Sequence, residues 1–133
     1  MTGSAARRLA APLALDAAAG VVGGRAMLDG IARGEPLPAG QVAVVACAGV
    51  LGLACARALH ARGLDVTLVC SGEAHQAPCH EPHRGAAEGF TVELDALPAE
   101  VIRRGGRARW LRLARGGNGG DFVLPADLIV VDG

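Results

Sequence analysis

The residues best placed to do chemistry lie at one turn, Cys47-Ala-Gly-Val-Leu-Gly52, between an apolar run and an amphipathic stretch. A dinucleotide-binding turn needs small residues at three places. The first makes the tight turn, the second lets backbone approach a pyrophosphate, and the third lets helix and strand pack closely. Gly49 and Gly52 fill the second and third places, and Cys47 occupies the first. The free N–H groups and dipole of the helix that follows then attract the phosphates. Cys47, Ala48, Gly49, Val50, Leu51 and Gly52 are therefore the candidate cofactor-binding residues. Cys70, at the end of the next apolar run, stands where an acidic side chain would accept the ribose hydroxyls. If the first place requires positive φ, a side chain there costs about 1–2 kcal/mol. Loss of a charged ribose acceptor costs roughly 1.5–3 kcal/mol more. Together these predict binding weaker by about two to three decades.

Other groups of reactive residue types carry less. Cys70, His75, Cys79, His80 and His83 crowd one segment, and Cys and His are the ligands zinc prefers. Their spacing fits no structural zinc pattern, and Pro78 and Pro82 stiffen the flanks, so no metal is expected. Arg103, Arg104, Arg107, Arg109, Arg112 and Arg115 crowd another segment, and a solvated strand face is the reading preferred over an anion site. In that reading Arg107 and Arg109 share a face with Leu111 and Leu113. Cys47, at a helix N-terminus, could have a depressed thiol pKa, but no general base accompanies it. No catalytic residue is assigned.

The elements that must position the turn follow from pattern. Val42–Ala46 is a short continuous apolar run, the mark of a strand buried on both faces. Leu53–Arg62 reads as a helix with Gly63 as its C-terminal cap, and Val66–Cys70 as a second buried strand. Strand, Gly turn, helix and strand make a βαβ unit over residues 41–70. A shorter helix is predicted over about Gly24–Ala32, ended by the Gly34–Gly40 segment with its two prolines. Residues 1–20 read as a loose lead-in and 71–88 as loop, and Phe90–Leu94 alternates like a strand. Val101–Arg104, Gly105-Gly106 and Arg107–Leu113 carry a hairpin signature, and Phe122–Leu124 can pair back, closing an excursion over 100–124. Ala126–Val131 is apolar enough to rejoin a buried parallel sheet. The expected fold is α/β: a Rossmann-like βαβ parallel sheet with helices on its faces and an antiparallel meander near the C-terminus.

Composition limits the alternatives. The 133 residues, with no net charge, fit one domain spanning 1–133 and create no global field for a polyanion. Phe90, Phe122 and Trp110 are the only aromatics, too few to stack single-stranded nucleic acid. No stretch approaches the ~20 apolar residues that cross a bilayer. Arg7 and Arg8 before Leu9–Leu15 faintly imitate a signal peptide, but Asp16 cuts the run short. The four cysteines form no secreted disulfide pattern, so a reducing cytoplasm is the expected compartment.

VAVVACAGVLGLACARALHARGLDVTLV resembles the βαβ unit of FAD- and NAD(P)-dependent oxidoreductases. GRARWLRLARGGNGGDFVLPADLIVVDG is similar to their meander and returning strand, and the start, through Val21–Asp29, resembles the linker leaving their flavin domain. The chain thus resembles the inserted NAD(P)-binding domain of pyridine nucleotide–disulfide oxidoreductase-like flavoproteins. The resemblance implies NAD(P) as the cofactor of this portion, with FAD held in a larger parent protein or a partner flavin-binding subunit. The alternative is a non-catalytic structural or subunit-contact domain with a dead nucleotide site.

Overall fold

The structure is a computed structural model that describes residues 13–37, 40–47, 49–70, 89–93, 95–115 and 120–132. The chain enters through a single helical turn, Ala17–Ala19, and a three-residue strand β1 (Val21–Gly23), then helix α1 (Gly24–Ala32). Strand β2 (Val42–Ala46), helix α2 (Gly49–Ala61) and strand β3 (Asp65–Val69) form the βαβ unit. Strand β4 (Thr91–Glu93) follows, then the meander β5 (Ala96–Arg104), β6 (Arg107–Arg115) and β7 (Asp121–Pro125), and finally β8 (Leu128–Val131).

Five strands make one parallel sheet in the order β1-β8-β2-β3-β4, and β5-β6-β7 make a separate antiparallel sheet. The central strands are apolar throughout because both their faces are covered. Ala43, Val45, Cys47, Leu128 and Val130 face α1 and α2, burying Met27, Leu53, Cys55, Ala56 and Leu59 against them. The alternate residues Val44, Ile129, Val131 and Val21 face the antiparallel sheet and meet Ala108, Leu111 and Leu113. The expected arrangement, helices on both faces, is corrected here. Among the described residues both α-helices cover one face, and the meander folds back to cover the other.

Local signals explain the element ends. Gly63 (φ +88) closes α2 in left-handed conformation, its N–H on the His60 carbonyl while the Leu64 N–H reaches back to Leu59. Gly105 and Gly106 (φ +63 and +79) are the two left-handed residues that a two-residue hairpin turn requires. The pairing slips between Ile102 and Arg103, leaving Arg109 as an extra residue on β6. That bulge reverses the alternation: Ala108 points inward with Leu111 and Leu113, and Arg109 is exposed. Arg109 and Leu111 therefore do not share a face as plain alternation implied.

Candidate functional site

The register aligns Gly23 of β1, Val131 of β8 and Ala46 of β2 at the carboxyl end of the sheet. One residue further on stand Gly24, Asp132 and Cys47, so both α1 and α2 start at the same end. From β2 the chain runs outward through β3 to β4, while β8 lies on β2's other side. The strand order reverses there, the place where open α/β sheets hold ligands.

Within this crevice the turn residues divide sharply. Gly49 (φ +59) is the first residue of α2, and a Cβ built on it would meet nothing within 4 Å. It exposes backbone, not a side chain, to anything approaching the helix N-terminus. Gly52 has the opposite surroundings: a Cβ there would lie 2.3 Å from the Cys47 carbonyl oxygen and 3.3 Å from Leu68 Cδ1. It lets the first turn of α2 lie directly on β2. Val50 is 76% exposed, Leu51 half-buried, and Ala48 lies outside the described residues.

Cys47 is only 2% exposed and its φ is not positive; among the described residues Asp95 alone combines a side chain with positive φ. The strain expected at the first motif place is absent. The thiol points down, away from the open side of the turn, and meets Cys55 of α2. Both sulfurs close on Gly24, whose missing Cβ would lie 2.9 Å from Cys47 Sγ and 3.0 Å from Cys55 Sγ. Cys55 Sγ also donates to the Gly24 carbonyl at 3.7 Å. The hydrogen bond to Cys55, then burial, push the Cys47 thiol far above its ordinary pKa, with the Asp132 carboxylate adding repulsion. Cys47 is therefore not a resting thiolate.

Cys70 is 3% exposed and disulfide-bonded, which departs from the expectation of reduced cysteines. Its N–H donates to the Glu93 carbonyl at 2.9 Å and its carbonyl accepts from Ala96 N–H at 3.0 Å. The residue at the ribose position is thus bound into the β3–β4–β5 corner.

His75, Cys79, His80 and His83 lie outside the described residues, and among those described no group of three metal-ligating side chains gathers. Four of the six clustered arginines are engaged within the fold. Arg103 bonds Asp16 at 2.9 Å and holds its carboxyl below the usual range, and Arg107 donates to the Ala18 carbonyl at 3.1 Å. Arg112 bridges Glu100 and Asp121 at 3.1 and 2.6 Å, and Arg115 reaches Glu93 at 3.2 Å while lying over Phe122.

Sequence reasoning missed Asp127. At the opposite end of the sheet its carboxylate accepts from Gln41 N–H at 3.0 Å and Val42 N–H at 2.9 Å. Its own N–H donates to the Val42 carbonyl at 3.0 Å, so one residue clamps the start of β2 onto β8. The signal available was a lone acidic residue ahead of an apolar strand.

The chain matches no family profile and no curated relative. Its likeness is to solved structures. The ferredoxin reductase for the CYP199A2 system from Rhodopseudomonas palustris is 27% identical at TM-score 0.57, over 69% of this chain and 23% of that one. A thioredoxin reductase from T. acidophilum is 12% identical at TM-score 0.65, over 86% and 36%. An NAD-dependent persulfide reductase from A. fulgidus is 21% identical at TM-score 0.61, over 92% and 24%. This chain therefore spans between 23% and 36% of the length of these proteins.

Proposed function

We propose, for a chain whose structural neighbours are pyridine nucleotide–disulfide oxidoreductases, that it is the NAD(P)-binding portion of a flavin-dependent oxidoreductase. The observation that carries this reading is Gly49: left-handed, open above, and first in a helix whose free N–H groups face the crevice. A bound reduced nicotinamide would supply hydride, and a flavin held by the rest of the parent protein or by a partner subunit would accept it. The backbone of Gly49 to Gly52 receives the pyrophosphate, with Gly52 keeping α2 close enough to β2 for the helix N-terminus to face it. Cys47 leaves that backbone clear because its thiol turns into the core. The region of Cys70 borders the ribose without a charged acceptor.

Removing the strain estimated at Cys47 leaves one loss, that of the charged ribose acceptor. It amounts to roughly 1.5–3 kcal/mol, or about one to two decades. Titrating the chain with NADH, followed by nicotinamide fluorescence, is expected to give a dissociation constant of roughly 0.1 mM. Gly49→Ala places a methyl in the open space and is expected to weaken binding at least about tenfold. Absence of saturable binding, or binding indifferent to Gly49→Ala, favours the structural or subunit-contact domain instead.

A further inference from the structure

We propose that Cys47 and Cys55 form a peroxide-oxidisable dithiol that ties the Gly-rich turn to the helix it opens. Both are free thiols, one at the tip of β2 and the other on the inward face of α2. Their sulfurs share a hydrogen bond and crowd one empty place, the missing side chain of Gly24, at 2.9 and 3.0 Å. Gly24 is what admits two sulfurs side by side here. A disulfide requires about 2.05 Å between the sulfurs, so the two side chains must close from hydrogen-bond contact for the link to form. At 2% and 0% exposure, bulky disulfides are kept out, whereas hydrogen peroxide is close to water in size. Cys47 lies at the carboxyl end of the sheet, where the exposed Asp132 is close enough to act on its thiol electrostatically.

The reaction balances with peroxide alone. Cys55 Sγ, which accepts the Cys47 hydrogen bond, attacks one peroxide oxygen. The O–O bond breaks, and the Cys55 proton leaves with the departing hydroxide as water, giving a sulfenic acid. Cys47 Sγ then displaces the sulfenic hydroxyl: the S–S bond forms, the S–O bond breaks, and the Cys47 proton completes a second water. Two thiols lose two electrons and two protons, and peroxide is reduced to two waters. The product joins the residue at the first motif place to α2, so the turn and its helix can no longer separate.

The proposal does not depend on nucleotide binding, and its test does not read it. The full chain is treated with hydrogen peroxide, quenched, alkylated in denaturant, digested and mapped by mass spectrometry. The expected product is a peptide pair joining Cys47 to Cys55, absent before treatment, reversed by dithiothreitol and lost in Cys55→Ser. In urea, where the folded contact between the two thiols is lost, the same treatment is expected to link Cys47 to Cys55 more slowly than in the folded chain. Recovery of Cys47 and Cys55 fully alkylated after treatment overturns the proposal. So does oxidation to sulfinic acid without a link, or pairing of either with other cysteines in the folded chain.

Discussion

At the scale of single residues, the turn's three motif places perform separate tasks. Gly49 supplies a backbone conformation, Gly52 an approach distance, and Cys47 a buried side chain that the turn accommodates without positive φ. Gly52→Ala forces a methyl against the Cys47 carbonyl, which cannot retreat because it sits at the end of a central strand. The expected loss is about 3 kcal/mol by urea denaturation, at the upper end for overpacking. Cys47→Gly separates conformation from packing. It restores the three-glycine pattern, yet NADH affinity is expected to change less than about twofold because no strain is relieved. Stability is expected to fall by about 1–2 kcal/mol as the sulfur's place empties. A tenfold gain in affinity would show that the first place constrains the turn after all.

At the scale of elements, the placement of α1 depends on Gly24. It brings the start of that helix against the two sulfurs, so Gly24→Ala is expected to cost about 1–3 kcal/mol. Combined with Cys55→Ala, which clears one sulfur, the penalty is expected to be at least partly relieved, a coupling that a double-mutant cycle measures. Additive losses would mean that the helix absorbs the methyl elsewhere. The other end of the sheet is held by Asp127. Asp127→Ala removes the acceptor of the Gln41 and Val42 N–H groups. Hydrogen bonds to a charged acceptor contribute roughly 1.5–3 kcal/mol, and a loss near 2 kcal/mol in urea denaturation is the expected outcome; a loss under about 0.5 kcal/mol would reassign the clamp to the strand pairing alone.

At the scale of the whole molecule, the two sheets share a core. Leu111 and Leu113 are fully buried beneath Val44 and Ile129, so the meander is packed on the parallel sheet and is more than a surface excursion. Leu111→Ala is expected to cost about 2–5 kcal/mol. Circular dichroism and Trp110 fluorescence are expected to report it as one coincident transition, because Trp110 lies on β6 and most of the helix signal on the other layer. Separate transitions would show that the meander unfolds on its own.

The β2–α2–β3 unit, α1 and the hairpin were legible because each signal is local. An apolar run, a helical spacing closed by Gly63, and paired glycines at 105 and 106 act within a few residues of themselves. Strand β1 was not legible: three residues carry no periodicity, and their partner Ile129–Val131 lies at the far end of the chain. The Arg109 bulge and the Asp127 clamp were hidden for the same reason, since each depends on what stands on a neighbouring strand. The motif spacing by itself determined where the chain turns, at Gly49, and where the helix packs on β2, at Gly52. Only the tertiary structure decided that Cys47 is unstrained, that its sulfur meets Cys55 over Gly24, and that Cys70 is drawn inward. Local patterns set backbone conformation through sterics, whereas the surroundings of a side chain are set by elements distant in sequence that converge only when the sheet closes.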